Sequence, residues 1–407
     1  MSKFKGDSAI LEKQLLDEYE VGDFFLASPN RTLLGKGSFI TVPRDEENAN
    51  QMESLAARVA AALKQANVEG HANPVVTGAV PFDHQKDAQL IVPENIRSSV
   101  PLQDNDASFS METQKPTYEM KSVPEPSLYK EGVERGLTYI KSGHLDKIVL
   151  SRTLHLTSSE TVNINPLLHN LAQHNKNGYT FAVDLPQSIE GEGDTPFSKT
   201  LIGASPELLV SRSGLQVLAN PLAGSRPRSD DPIEDKRRAD ELLSSSKDLH
   251  EHAVVVHAVA EALRKFFKTM DVPEKPTVIH TETMWHLSTE VKGELNDPAT
   301  SSLELAIALH PTPAVCGSPT DLARGAIQEI ERFDRGFFTG MVGWCDAEGD
   351  GEWVVTIRCA EVERQVLRLF AGAGVVAESK PEEELAETSA KFQTMLRAMG
   401  IDAKSLN

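Results

Sequence analysis

The segment from Phe337 to Gly374 constrains the fold most. It reads FFTGMVGWC, then the polar stretch DAEGDG, then EWVVTIRCA, EVERQ and VLRLFAGAG. Three runs rich in β-branched and aromatic residues are joined by connections too short for a crossover helix, so neighbouring strands must run antiparallel. Further strand signatures precede it at 147–156 (KIVLSRTLHL), 201–212 (LIGASPELLVSR) and 214–224 (GLQVLANPLAG). Long helical patterns flank the β-rich half at about 234–269 and at 382–399, where Pro381 stands ready to open the helix. Antiparallel strands with interposed helices, without strict β-α-β alternation, predict an α+β architecture rather than a doubly wound sheet.

The first part of the chain is less informative. Residues 1–100 combine a helix expected at 50–67, capped by an asparagine, with short apolar runs such as Phe24–Leu26 and Leu90–Val92. From 101 to 126 four prolines stand among Gln, Asp, Ser and Thr without periodicity, which predicts an exposed loop or boundary before a helix at 127–142. No internal repeat of fixed period occurs. At roughly 150 residues per domain, 407 residues would allow two or three.

Charge and cysteine content narrow the setting. With 41 Lys and Arg against 60 Asp and Glu, the net charge of −19 disfavours partners held by their own negative charge, nucleic acid and anionic membrane among them. An anionic ligand must then be captured by local cations. Cys316, Cys345 and Cys359 lack close metal-ligand spacing and cannot all pair within one chain, which fits a reducing cytosol. Acids interrupt the apolar run a signal peptide would need near Met1, and no 18-residue apolar segment follows. The expectation is a cytoplasmic protein without a membrane span.

Two local motifs fail their context tests. Asp346, Glu348, Asp350 and Gly351 imitate the start of a calcium loop, but position twelve is Ile357 and the bidentate carboxylate is missing, so a polar hairpin turn is expected. Gly372, Gly374 and Ala377 match G-x-G-x-x-A, yet Pro381 puts the helix several residues too late for a dinucleotide. A glycine turn able to hold a small carboxylate on its amides is what survives.

Three other places carry ionisable groups with two readings each. Glu384, Glu387 and Lys391 follow one another at i, i+3 and i+7, within about 60° of helical arc beside an apolar stripe. They form either a solvated pair or acids at a core margin. Glu251, in Lys247-Asp-Leu-His-Glu-His252, enters its helix just as it turns apolar and needs a counter-charge, from a salt bridge or a metal ion. Lys147 is an edge-strand charge or, if enclosed, a candidate general base.

In order along the chain, DKIVLSR, GASPELLVSR, PLAGSRPR, KDLHEH, MWHL, HPTPAVCG, FDRGFFTGMVGWCDAEGDGEWVVTIRCA, LFAGAGVV and EELAETSAK form a far more specific set than any one of them. The set resembles the chorismate-utilising enzymes and, within them, the isochorismate synthases of catecholate-siderophore (2,3-dihydroxybenzoate) pathways, with the motifs spanning about 145–400. The resemblance implies a single large domain of two stacked antiparallel sheets flanked by helices, comprising an N-terminal portion (1–100), the loop (101–126) and a catalytic portion (127–407). It implies Mg²⁺ as cofactor and chorismate as substrate, with no glutaminase subunit and with downstream siderophore-pathway enzymes as further partners.

Residue roles follow from the same resemblance. Lys147 takes the position of the base that activates water, and Glu207 that of the acid that protonates the departing hydroxyl. Glu251 and Glu387 take the metal positions, with Glu384 acting directly or through water. Arg358 and the backbone of Gly372 and Gly374 match the clamp on the enolpyruvyl carboxylate, and Lys391 a further carboxylate contact. His286 lies against the substrate, and Gly224 and Ser225 in the loop beside the ring. Ala314, in Ala-Val-Cys-Gly, replaces the Thr of a Thr-x-Ser-Gly motif common in lyases and aminating members, which resembles synthases that stop at isochorismate. Menaquinone-pathway and salicylate synthases remain as alternatives, as does a chorismate- or metal-binding protein without turnover.

Overall fold

The computed structural model describes residues 12–102, 116–185 and 198–401. Among these, strands form a ten-stranded sheet, a nine-stranded sheet and a small three-stranded sheet, with every recorded pairing antiparallel. The axis of the first sheet is a long pair, Lys147–Ser158 against Val366–Val375, in a register that sets Val149 opposite Gly374 and Ser151 opposite Gly372.

Period-two alternation explains how the layers stack. Phe24 and Leu26 point into one core and Phe25 and Ala27 into another; in the second sheet Val75 and Ala79 part in the same way from Val76 and Val80. The shared core, with Phe181, Leu201, Val342, Trp344 and Val354, lies between the two large sheets. Outside the first sheet pack helices Ile164–Gln173 and Pro381–Ala398, and outside the second pack Leu55–Val68, Ser246–Arg264 and Ser302–Leu309. Burial on both faces is why these strands read as nearly continuous apolar runs.

The two large sheets are connected where single sequence runs change sheet. LIGASPELLVSR splits into Lys199–Ser205 in the first and Leu208–Ser213 in the second, with Pro206 and Glu207 between them. EWVVTIRCA splits likewise into Gly351–Val355 and Cys359–Glu363, with Arg358 at the crossing. In the same manner GLQVLANPLAG gives Gln216–Asn220 to the second sheet and Leu222–Pro227 to the small one.

The expected α+β fold of two stacked antiparallel sheets with flanking helices is the fold observed; several local expectations are corrected. The helix expected at 234–269 is two, Pro232–Ser244 and Ser246–Arg264, because Ser245 is extended (ψ 115°) and its hydroxyl accepts the Asp248 N–H at 3.3 Å as an N-cap; Phe267–Asp271 is then a strand. The helix expected from Asn50 starts at Leu55, since Asn50 turns its side chain onto the Met52 N–H instead. Within 101–126, residues 103–115 lie outside the described ones, while Tyr118–Val123 is a half-exposed strand on Thr153–Ser158, with too few apolar residues to show locally. Gly372 and Gly374 lie inside a strand rather than in a turn. The DAEGDG stretch is the expected hairpin turn, closed by the Asp346 N–H on the Asp350 carbonyl at 2.8 Å.

Candidate active site

The sheet crossings, the glycine-bearing strand and the two acid-bearing helices enclose one pocket. Eleven of the thirteen residues singled out from the sequence line it: Glu207, Gly224, Ser225, Glu251, His286, Ala314, Arg358, Gly372, Gly374, Glu387 and Lys391. Lys147 and Glu384 stand outside this lining: Lys147 pairs directly with Glu251 on the wall, whereas Glu384 pairs with Lys247, which does not line the pocket either.

Lys147 opens its strand and is only 1% exposed, which removes the reading of a solvated edge charge. Its Nζ lies 2.8 Å from Glu251 Oε1. Opposite Val149, Gly374 makes room for this pair, because a Cβ there would sit 2.2 Å from Glu251 Oε1 and 2.9 Å from Lys147 Cε. The glycine is required as empty space within a strand, a cause different from the turn expected of it.

Helix Pro381–Ala398 brings its acids to the same place. Glu387 Oε1 receives Lys391 Nζ at 2.6 Å and the Ser225 hydroxyl at 3.0 Å. Lys391 also donates to the Gly372 carbonyl at 2.9 Å, so it braces the strand as well as the acid. Burial alone would push the Glu387 carboxyl upward, but Lys391, aided by Lys247 and the Ser225 hydroxyl, more than offsets it and holds the group below the ordinary range. Its neighbour Glu384 goes the other way, to about 7, through burial and the nearby Glu387 charge.

The partner of Glu384 is Lys247, at 3.0 Å, a residue the sequence does not distinguish from a solvated helix charge. The Lys247 ammonium is also within electrostatic range of Glu387 and Glu251. Beside it, Asp248 pairs with Arg226 and packs under Gly224, whose φ of 78° and tight approach (3.1 Å from a would-be Cβ to Asp248 Cβ) leave no room for a side chain. Also missed were Phe338 and Phe370, stacked with centroids 5.0 Å apart on the pocket wall. Their signal was present in FFTG and LFAG, but aromatics in apolar runs look alike whether they face a core or a ligand.

Glu207 and Arg358, from the two crossings, meet in the pocket. Burial raises the Glu207 carboxyl to about 7, against the opposing pull of a weak 3.4 Å contact from the Leu222 N–H and of Lys147, Arg358 and Lys391. Arg358 holds a left-handed backbone (φ 52°), a conformation disfavoured for a side chain of this size. Its Nη2 donates to His286 Nε2 at 3.3 Å, so that nitrogen must be the acceptor of a neutral imidazole. Burial first, then the Arg358 charge, pushes the His286 pKa well below its ordinary value. Arg358 Nε is buried without a hydrogen-bond partner. A buried guanidinium with a spare donor beside an acid that titrates near neutrality suits a ligand that brings a carboxylate.

The family model for chorismate binding enzymes matches residues 92–400 of this chain, most of its length. The chain belongs to that family. Among its relatives, this chorismate binding enzyme is 63% identical over 390 residues to isochorismate synthase DhbC of Bacillus subtilis, covering 96% of each. It is 44% identical over 383 residues to the vibriobactin-specific isochorismate synthase of Vibrio cholerae, covering 93% of this chain and 92% of the relative. A crystal structure from Bacillus anthracis, assigned as a 2,3-dihydroxybenzoate-specific isochorismate synthase, DhbC, superposes with a TM-score of 0.90 at 61% identity, covering 96% of this chain and all of the other.

Whether the chorismate binding enzyme's acids suit a metal can be judged from their chemistry. Among the described residues no group of three or more His, Cys, Asp or Glu side chains is spaced to hold an ion by itself. Yet Glu251 and Glu387 present oxygens to the same pocket from two helices. Mg²⁺ characteristically takes one or two carboxylates and completes its shell with water and substrate, so this donor set fits it. Among the described residues no helix is long and apolar enough to cross a membrane.

Proposed function

We propose that this protein is a Mg²⁺-dependent isochorismate synthase that converts chorismate to isochorismate in the cytoplasm, at the head of a 2,3-dihydroxybenzoate siderophore route. The observation that carries the reading is the meeting of Glu207, held protonated to about pH 7, with the spare donor of buried Arg358 in one pocket. The names of the relatives in Bacillus subtilis and Vibrio cholerae support the same reaction.

In this scheme Arg358 and Lys391 receive the carboxylates of the substrate, and neutral His286 holds the guanidinium in place. Lys147, acting as the neutral amine, accepts a proton from water as the water oxygen bonds to ring carbon two, and gives that proton up again before the next turnover. The double bonds shift, the bond from carbon four to its hydroxyl breaks, and Glu207 gives that hydroxyl its proton so that it leaves as water. One water enters and one departs, which makes the net change an isomerisation. Glu251 and Glu387 would hold Mg²⁺, whose positive charge would offset the negative charge of a substrate carboxylate. Ala314 puts no hydroxyl on the wall near the ring.

Incubation of the purified protein with chorismate, with and without Mg²⁺, followed by chromatography tests this directly. Isochorismate appearing only with the metal is expected. Salicylate with pyruvate, an aromatic amine formed with ammonia, or no conversion would overturn the assignment.

A further inference from the structure

The strand that begins at Lys147 has a broken edge. On one side it pairs with Val366–Val375 over most of its length. On the other side Gly317–Ser318 covers Lys147 and Ile148, and Tyr118–Val123 covers Thr153 to Ser158. Between them, no strand among the described residues pairs with 149–152 on this edge. The Cys316 carbonyl takes the Val149 N–H at 2.8 Å, which leaves the Val149 carbonyl and the Ser151 N–H to be satisfied two and four residues from the proposed base.

A buried ion pair fills the gap. Glu331 and Arg335, both with side chains 3% exposed, pair at 2.6 Å. Glu331 Oε1 accepts the Ser151 N–H at 2.7 Å, and Arg335 Nη2 donates to the Val149 carbonyl at 2.8 Å. The same guanidinium donates from Nη1 to the Val315 carbonyl at 2.8 Å and to Thr339 Oγ1 at 3.2 Å, and from Nε to Glu331 Oε2 at 2.8 Å. With Nη2 shared between Val149 and Glu331, all five donors of the fork are used. Phe82 stacks over it at 4.6 Å.

Val149, Val315 and Thr339 all line the substrate pocket. One side chain outside that lining therefore ties together three segments of its wall. An ion pair so deeply buried is poor evidence of added stability, because a well-packed apolar pair would serve as well. What an apolar pair cannot do is fix two backbone carbonyls and a hydroxyl of three separate segments at defined distances. We propose that Arg335, held by Glu331, is a positioning residue: it completes the broken sheet edge and thereby sets where Lys147 stands relative to the ring. This rests on the isomerase reading above.

The test is steady-state turnover of chorismate by R335K and E331D, with thermal melts of each. Lys keeps the charge of Arg335 but not its planar fork; Asp keeps the pair but withdraws the acceptor from Ser151. A displacement of about 1 Å at the reacting centre costs on the order of a hundredfold in rate. R335K is thus expected to lose about that factor in kcat, with KM moving less than about threefold. General loosening of the pocket would raise KM as kcat fell. A cooperatively melting R335K with kcat near wild type, or one whose KM rises in step with the loss, overturns the proposal. Should R335K not melt cooperatively, E331D decides by the same readouts; failure of both to fold would assign the pair to core stability and overturn it as well. Wild-type protein that makes no isochorismate would instead sink the proposed reaction, whereas active wild type with unaffected variants sinks only this inference.

Discussion

Lys147 and Glu251 hold their charged ends 2.8 Å apart with almost no exposure to solvent, one on the first strand beside the pocket and the other on a helix packed outside the second sheet. Neither could stay in that setting alone, since an uncompensated buried charge is expensive. Replacing Lys147 with Met, which keeps the stem and removes the amine, is expected to lower kcat by a factor of about a thousand, within the range for a lost general base. Chorismate affinity in the presence of Mg²⁺, measured calorimetrically, should change little. Turnover at the wild-type rate would take the lysine out of the reaction.

Glu207 predicts opposite effects on activity and stability. Its carboxyl titrates near 7 in the fold and near 4.5 in an unfolded chain. Activity that needs its proton should therefore decline as pH rises through about 7, read as the descending limb of kcat/KM. Between those two values the unfolded chain releases the proton while the folded one keeps it, so folding stability falls as pH rises from about 4.5 to about 7 and then levels. The E207Q variant cannot ionise. It should be inactive, yet at pH 8 more stable than wild type by an amount on the order of 3 kcal/mol, measurable by denaturant unfolding. Equal pH dependence in both proteins would contradict the assignment.

Two glycines give a matched pair. A methyl group at Gly374 would press into Glu251 and Lys147, so G374A is expected to lose about a hundredfold in turnover by displacing the reacting groups. Gly325, inside the helix Thr320–Ile330, has open space around it, and G325A should keep full activity and gain about 1 kcal/mol. Turnover assays and thermal melts of the two side by side check both expectations. Full activity in G374A would show that the strand can shift at no cost to the site.

Metal dependence can be read without turnover. After chelation, adding Mg²⁺ is expected to raise the melting temperature of the wild-type protein by linkage. E251Q and E387Q should lose that shift. A shift of wild-type size in both variants would move the metal elsewhere.

Much of this was legible in the sequence because the signals were local. Antiparallel order follows from turns too short to cross over, and Pro381 marks its helix within one residue of the expected start. The ordered motifs held eleven of the pocket-lining residues that the resemblance singled out, since each sits in a short stretch whose residue types are specific. Ser245 was harder to read: a serine amid helix formers looks like more helix until its hydroxyl is seen to cap the next one. Tyr118–Val123 takes its strand character from a neighbour rather than from its own pattern.

What the chain alone determined is which groups exist and which segments alternate or turn. Distance was left to the tertiary structure. Glu251, Glu384 and Glu387 each allowed a bland local reading; Glu387 takes Lys391 from its own helix, one turn on, but only the packing of helices and sheets assigns Lys147 to Glu251 and Lys247 to Glu384 and buries all three pairs. The same holds for Glu207 and Arg358, which lie inside what read as continuous strands and reach the pocket because the chain changes sheet at those points. Burial and proximity are properties of contacts made far along the chain. These contacts, rather than residue type, turn an ordinary glutamate into an acid that keeps its proton to about pH 7.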